Sequence, residues 1–241
     1  DYFNINITDA ITTPQVGDII GGCFSSDLNP GLVFNTSCGL IRRNAVDGSL
    51  NGSPADTLGV IQSLSNLGTI NTDGLDLAVA YTREIGPTTL DWSFNGTWTF
   101  ENRTQPTPAS VDRNCLGFYS TNCGNIQPEV QFNQRVTVTY DRFDFSLRHR
   151  YISRVEIEPE LRGTFLESFE TINARHYFDL TLRARFLDHF DAAFVVNNLI
   201  NSDPPIVGSD VGPTSFNSGN TYPTVYDAIG RQFTFALRAR Y

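Results

Sequence analysis

The chain ends on the stretch Gln232-Phe233-Thr234-Phe235-Ala236-Leu237-Arg238-Ala239-Arg240-Tyr241. From Phe233 onward every odd position is apolar, whereas four of the five even positions from 232 to 240 are polar or charged. A period of two is the signature of a β-strand with two unlike faces. In a soluble sheet such a terminal edge strand would expose a hydrophobic row and unpaired backbone to water, which natural proteins avoid. The pattern therefore predicts a strand of an outer-membrane β-barrel, with its odd residues toward lipid and Arg238 and Arg240 toward the lumen.

The composition of the chain is compatible with this prediction. Of its 241 residues, 40% are hydrophobic and 18% are charged. There is no run of about 20 apolar residues of the kind that a spanning helix needs, but a barrel alternates apolar and polar residues and requires none. The formal net charge of -9 argues against nucleic acid as a partner, because nucleic-acid binding needs a basic surface.

The same alternation recurs along the chain and predicts eight strands in all. It is clearest from Leu90 to Phe100, where Leu90, Trp92 and Phe94 alternate with polar residues. The start of the second strand is open, because Asn66 to Gly68 fits either a kink within one strand or the tip of a hairpin. The second predicted strand ends at about residue 83. The other seven cover about residues 3–12, 90–100, 132–140, 143–151, 178–186, 190–196 and 232–241.

The connections between these strands alternate long, short, long, short, long, short and long. An up-and-down outer-membrane barrel has short periplasmic turns and long external loops, so the alternation favours an all-β antiparallel transmembrane barrel. Two alternatives remain open at this point. Eight strands can close a small barrel by themselves. A soluble secreted β-sandwich that acts as a binding module also has short alternating strands, although it has no reason to keep every second loop short.

Four cysteines form two local pairs within long loops rich in Gly, Asn and Ser. We predict disulfides between Cys23 and Cys38 and between Cys115 and Cys123, because pairing within a loop has a smaller closure entropy than pairing between loops. The spacing does not fit a zinc site, since it lacks a CxxC motif and a nearby histidine. Disulfides imply an oxidising compartment, such as a bacterial exterior.

Four stretches resemble the C-terminal part of the barrel of TonB-dependent outer-membrane receptors. They are DYFNINITDAI (1–11), NLGTINTDGLDL (66–77), VNNLINSDPP (196–205) and YPTVYDAIGR (222–231), followed by the terminal aromatic strand. The resemblance extends over the whole chain. It implies that residues 1–241 form the last eight strands of a barrel of about 22 strands around an N-terminal plug.

The resemblance also implies a function and partners. Such receptors import a scarce large solute, for example a metal chelate, a vitamin or an oligosaccharide, across the outer membrane of a Gram-negative bacterium. The implied partners are outer-membrane lipid, the plug and remaining strands, an energy-coupling TonB-type protein and the imported solute. The chain contains no Met, so we expect it to be a mature or truncated piece of a longer precursor.

Nothing in the sequence points to an enzyme or to a cofactor. The histidines, His149, His176 and His189, do not form a set of nucleophile, base and orienting group, and the first two fall on the outward face as single surface residues. The acidic segment around Glu156 to Glu167 lacks the spacing of a calcium loop.

Two groups of residues are candidates for contacts that serve transport. We predict that four lumenal arginines, Arg183, Arg185, Arg238 and Arg240, dock acidic residues of the plug, since an arginine fork suits bidentate contacts with carboxylates. The loop aromatics Phe118, Tyr119, Phe216 and Tyr222 are candidates for contacts with the solute, although packing within the loops is an equally good explanation of them.

Overall fold

The structure is a computed structural model that describes residues 1–186, 189–208 and 220–239. In chain order its elements are β1 (Tyr2–Thr12), α1 (Val16–Phe24), α2 (Thr36–Gly39), β2 (Ile41–Arg42), β3 (Gly59–Val60), β4 (Ser65–Ile85), β5 (Thr88–Gln105), β6 (Arg113–Asn114), β7 (Phe118–Tyr119), β8 (Val130–Tyr140), β9 (Phe143–Ile152), β10 (Val155–Ile157), β11 (Thr171–Ile172), β12 (Arg175–Phe186), β13 (Phe190–Asn197) and β14 (Gln232–Ala239). Short 3-10 helices cover Pro159–Leu161 and Glu167–Phe169.

The eight predicted strands are the eight long strands of one sheet. They are hydrogen-bonded in the order β1-β4-β5-β8-β9-β12-β13-β14, so that each pairs with the next long strand along the chain. The pairings from β5 to β14 are antiparallel. Tight connections join β4 to β5, β8 to β9 and β12 to β13, while long connections separate the others. The predicted up-and-down order and the alternation of loop lengths are therefore confirmed.

The register of the sheet places unlike residues on its two faces. One row of directly paired residues is apolar across six strands and comprises Trp92, Val136, Leu147, Leu180, Val196 and Phe233. The adjacent row, which faces the other way, comprises Asp91, Thr137, Ser146, Thr181, Val195 and Thr234 and is mainly polar. We call the two sides the apolar face and the polar face. A shift of one residue in any strand would exchange them, so the pattern fixes the register.

The apolar face is not covered by protein at the terminal strand. Phe233, Phe235 and Leu237 are 63%, 70% and 58% exposed. In a β-sandwich these side chains would be buried against a second sheet. Their exposure in a continuous apolar row fits a face that meets lipid and argues against the soluble sandwich.

The described residues form two compact units. The first comprises residues 1–3, 74–100 and the described residues between 115 and 239. The second comprises residues 4–73 and 101–114. The long strands β1, β4 and β5 each contribute residues to both units.

In the first unit, long connections fold into a small hydrophobic core, which we call the loop core. It contains buried residues from the segments after β5, β9 and β13, together with the ends of β9 and β12 beside them. Its members are Tyr119, Ile126, Ile152, Val155, Ile157, Ile172, Tyr177, Val207, Tyr222 and Tyr226. A parallel pairing of β10 with β7 and an antiparallel pairing of β10 with β11 connect two of these segments through backbone hydrogen bonds.

In the second unit, the first long connection contains a helix that the sequence analysis missed. Helix α1 places Ile19 and Cys23 in the interior, and Cys23 forms a disulfide with Cys38. Arg113 donates to the carboxylate of Asp18 at 3.1 Å, and both side chains are largely buried. Val16, Ile19, Ile20 and Cys23 have helical spacing, but the glycines between them hid the signal.

The long strands resolve two alternatives that the sequence left open. Strand β4 runs without a break from Ser65 to Ile85, so Asn66 to Gly68 is not the tip of a hairpin. Strands β1 and β14 stand at the two ends of the strand order in the described part, so these eight strands do not close a barrel by themselves. No helix in the described ranges is long and apolar enough to cross a membrane.

Candidate functional site

The polar face of the first unit carries a cavity of about 700 Å³. The polar side chains in its lining come from β4, β5, β8 and β9, whose inward positions alternate with the apolar ones. They include Asp76, Asn95, Thr97, Gln131, Asn133 and Arg150. Thr97 donates a hydrogen bond of 2.6 Å to the Asp76 carboxylate. The cavity therefore offers amide, hydroxyl and carboxylate groups on a rigid sheet.

Arg150 is the centre of an ion-pair network at the edge of this cavity. Its guanidinium contacts both carboxylate oxygens of Asp227, with Nη1–Oδ1 at 2.9 Å and Nη2–Oδ2 at 2.5 Å. The same group donates to Asp179, with Nε–Oδ2 at 3.2 Å and Nη2–Oδ1 at 3.4 Å. Its Cζ atom lies 5.0 Å from the centre of the Tyr177 ring. One arginine fork thus connects β9, β12 and the last long connection.

The strand register explains why these charges meet. Arg148 and Arg150 occupy alternate positions of β9 on the polar face, and Asp179 is the direct partner of Arg148 on β12. Arg148 donates to Asn133 at 2.9 Å and lies 3.9 Å from the Asp179 carboxylate. The backbone N–H of Asn198 donates to Asp179 at 2.9 Å. Asp179 is only 7% exposed, so these donors replace the hydrogen bonds that water would otherwise make to its carboxylate.

The arrangement can bind a polar solute by hydrogen bonds. Arg150 already contacts two carboxylates, so it is not available to an anionic solute in this conformation. The amides of Asn95, Gln131 and Asn133 line the cavity and can each donate and accept. Within the described ranges, no group of three or more His, Cys, Asp or Glu residues could hold a metal ion.

The predicted arginine patch lies at the other end of the strands, close to the short turns. Arg183 pairs with Asp144 in the register, Arg185 pairs with Asp191, and Asp191 pairs with Arg238. The Nη2 atom of Arg185 also lies 3.5 Å from the Asp144 carboxylate. Neighbouring strands therefore supply two carboxylates beside these arginines, Asp144 and Asp191, and docking of acidic plug residues stays a prediction. Arg240 lies outside the described residues.

Of the four loop aromatics predicted to contact the solute, the structure describes three and buries two of these fully. Tyr119 and Tyr222 have no exposed surface; their rings pack edge to face at 6.3 Å, and the Tyr119 hydroxyl donates to the carbonyl of Phe169. Burial raises the pKa of Tyr119 and raises that of Tyr222 to about 12. Both rings therefore belong to the loop core and are not offered to a solute in this conformation. Phe118 is half-buried on β7, and Phe216 lies outside the described residues.

The acidic segment makes contacts within its own loop and with the connection after β7. Glu156 binds Arg154 at 2.5 Å and Arg162 at 2.8 Å. Glu158 is buried and accepts a hydrogen bond of 3.0 Å from Asn122. These partners account for two carboxylates of the segment as structural groups.

Both predicted disulfides are present in the structure. Cys23 bonds to Cys38 across 15 positions, and Cys115 bonds to Cys123 across eight. The second bond closes a loop next to β7, whose Tyr119 belongs to the loop core. Each bond therefore stabilises one long connection.

The description of His149 and His176 as single surface residues is wrong. The Nε2 atom of His149 lies 3.0 Å from the Nδ1 atom of His176 on the neighbouring strand. The sequence showed that both lie on the outward face, but the pairing depends on the register between β9 and β12. His189 lies at the β12–β13 turn.

Comparison with known proteins identifies the fold. The family model described as TonB dependent receptor-like, beta-barrel matches residues 1–199. The chain is similar to two mutants of the ferric enterobactin receptor of Pseudomonas aeruginosa, solved in complex with enterobactin, with 14% and 15% identity and TM-scores of 0.60 and 0.58. Each match covers 99% of this chain and 28% of the receptor, so the chain spans little more than a quarter of those structures. No curated protein matches the chain at a significant level.

Proposed function

Because the chain belongs to the TonB-dependent receptor β-barrel family, we propose that it forms the C-terminal part of the barrel wall of an outer-membrane receptor in a Gram-negative bacterium. The observation that carries this proposal is the two-faced sheet. Its apolar face is exposed at Phe233, Phe235 and Leu237, and its long and short connections alternate as those of an outer-membrane barrel do. This family consists of transport receptors, which agrees with the prediction that the chain is not an enzyme.

The complete receptor would import a scarce large solute through energy coupling to a TonB-type protein. The plug and the remaining strands would come from the rest of the receptor. The solved structures are of mutants of a ferric enterobactin receptor in complex with enterobactin, but at 14% to 15% identity they support the fold and not the solute. The cavity on the polar face suits a polar solute with many hydrogen-bonding groups, which fits a metal chelate, a vitamin or an oligosaccharide.

The arginine patch would contact the plug. In the described residues it brings together three arginines, Arg183, Arg185 and Arg238, and two aspartates, Asp144 and Asp191. The patch therefore retains a surplus of positive charge that acidic plug residues can match. Because the surplus is small, we expect the patch to orient the plug more than to hold it strongly.

Uptake by cells that express the complete receptor tests the proposal. Cells lacking the receptor are complemented with the natural gene, with Asn133→Ala in the cavity, or with Leu237→Ile on the apolar face as a matched control. We expect energy-dependent accumulation of one large solute that ceases when the TonB-type protein is deleted, and that is lowered by Asn133→Ala but not by Leu237→Ile. Uptake that persists without the TonB-type protein, or a folded receptor found outside the outer-membrane fraction, would contradict the proposal.

A further inference from the structure

The carboxylate of Asp227 covers the arginine at the edge of the lumenal cavity. Its two oxygens accept from Nη1 and Nη2 of Arg150 at 2.9 Å and 2.5 Å, the side-by-side geometry in which an arginine also binds a free carboxylate or phosphate. Arg150 lines the cavity, and so does Val225, two positions before Asp227. The cavity wall therefore contains an arginine suited to an oxyanion, and a carboxylate of the last long connection occupies it.

The two aspartates that share Arg150 are held very differently. Asp179 lies on β12, where the backbone N–H of Asn198 donates to it at 2.9 Å and Arg148 lies 3.9 Å away. The side chain of Asp179 is 9% exposed, whereas that of Asp227 is 30% exposed and lies outside the strands. Among the described residues, only Arg150 contacts the Asp227 carboxylate within hydrogen-bond distance. Asp227 is therefore the exchangeable partner of Arg150, and Asp179 is the fixed one.

Donors for an entering anion already surround this position. Asn133 lines the cavity, and its amide oxygen accepts from Arg148 Nε at 2.9 Å, which leaves the NH2 group of the same amide to donate. Arg148 and Arg150 carry two positive charges, and the fixed Asp179 carries one negative charge. When the Asp227 carboxylate turns away, the site has an excess of one positive charge, which attracts an anion from the cavity.

We propose that Asp227 is an internal anion in the Arg150 site and that a solute with a carboxylate or phosphate group replaces it. This inference rests on the proposed function, because it assigns a chemical class to the solute of the same cavity. A group with two oxygens on one atom fits the guanidinium fork as the aspartate does. A rotation about the Cα–Cβ bond of the half-buried Asp227 suffices to move its carboxylate to water.

Exchange of the anion changes how the last long connection is attached to the wall. The segment 220–230 is also held by Tyr222 and Tyr226, which are buried in the loop core, and Asp227 directly follows Tyr226. Loss of the contact between Asp227 and Arg150 therefore loosens this segment while the two tyrosines keep it in place. Occupancy of the lumenal cavity is transmitted in this way to the last long connection.

Hydrogen exchange of the complete receptor in detergent, with inorganic phosphate or acetate as the probe, tests the replacement of Asp227. Each salt is compared with sodium chloride at equal ionic strength. We expect a saturating probe to speed the exchange of amides between 220 and 230 about 5-fold to 30-fold, as the loss of one partly exposed charged contact does. The probe with the larger effect identifies the solute group as a phosphate or as a carboxylate.

Calorimetric titration with the same probes measures the competition directly. Asp227→Asn removes the internal anion, and we expect it to bind the probe at one site about 10-fold or more tighter than the natural receptor does. Asp203→Asn is the matched control, because it removes an exposed carboxylate from the same connection, and it should bind the probe as the natural receptor does. Addition of Arg150→Ala to Asp227→Asn should abolish the tighter site.

Two results would overturn the proposal. Equal exchange between 220 and 230 in phosphate, acetate and chloride would show that no anion displaces Asp227, and this result needs no variant. Equal affinity of the natural receptor and Asp227→Asn for the probe, or a tighter site that survives Arg150→Ala, would show that Arg150 does not bind the anion. Neither measurement involves transport, so their failure is distinguishable from failure of the uptake experiment that tests the proposed function.

Discussion

Replacing Arg150 with alanine should loosen the last long connection of the barrel wall. The side chain of Arg150 is 25% exposed, and the side chains of its partners Asp179 and Asp227 are 9% and 30% exposed. Removal of the guanidinium leaves Asp179 with the Asn198 N–H at 2.9 Å and Arg148 at 3.9 Å. Breaking a fully buried ion pair costs about 3–5 kcal/mol. Partial exposure of Arg150 and Asp227 lowers this cost, and we expect Arg150→Ala to reduce the free energy of unfolding by about 2–3 kcal/mol.

A double-mutant cycle separates the Arg150–Asp227 contact from other effects. We expect Asp227→Ala to cost about 1–2 kcal/mol, because Arg150 keeps its contacts with Asp179. The double variant should cost little more than Arg150→Ala alone, since the partner of Asp227 is already absent.

Hydrogen exchange measured by mass spectrometry on the complete receptor follows the opening of this segment. Amides between 220 and 230, including the N–H of Tyr226 that donates to Tyr222, should exchange about 30-fold to 150-fold faster in Arg150→Ala. Arg231→Ala, at an exposed position next to the segment, serves as the control and should leave exchange unchanged. Unchanged exchange in Arg150→Ala, or strictly additive effects in the double variant, would refute the idea that this arginine holds the segment to the wall.

Three further predictions concern packing, pH and the plug. Gly74→Ala should reduce the yield of folded receptor in a heat-mobility assay, because a Cβ atom at Gly74 would lie 2.5 Å from the carbonyl oxygen of Trp98; normal yield would contradict this close approach. The contribution of Tyr222 to the stability of the loop core should be complete below pH 10 and should fall as the pH rises toward 12. Tyr222 keeps its proton in the folded protein until about pH 12 but loses it at about pH 10 when the protein is unfolded. Ultraviolet titration of tyrosinate in the natural receptor and in Tyr222→Phe measures this difference, and identical titration curves would contradict it. Arg185→Glu should add a third carboxylate to Asp144 and Asp191 and lower plug retention in a protease-accessibility assay, whereas Arg185→Lys should not. Equal plug retention in the two variants would count against plug docking.

The strands could be predicted from the sequence because each one has two unlike environments. Residues 143–151 alternate so clearly that the observed strand, Phe143–Ile152, differs from the prediction by one residue. The same holds for the turn at Asp141 and Arg142, which lies between two alternating runs. A lipid-facing row and a lumenal row impose a period of two over the whole strand. The local order of apolar and polar residues is therefore enough to predict where each strand lies.

The loop core and the lumenal network could not be predicted, for a different physical reason. Tyr119, Val207 and Tyr222 lie in separate connections without periodic patterns, and only tertiary packing brings them together. Arg150 and Asp227 are 77 positions apart, and no local signal relates them. The His149–His176 pair was equally hidden, because the outward parity of both residues was visible but the register between β9 and β12 was not.

The central claim is that the apolar face of this sheet meets lipid. Spin labels placed one at a time at positions 233 to 238 of the complete receptor in bilayers measure contact with oxygen, which concentrates in lipid, and with a water-soluble nickel chelate. The account predicts high oxygen contact at 233, 235 and 237 and low oxygen contact at 234, 236 and 238, where Thr234 and Arg238 belong to the polar face. High nickel contact at 233, 235 and 237, or no alternation along the strand, would contradict it.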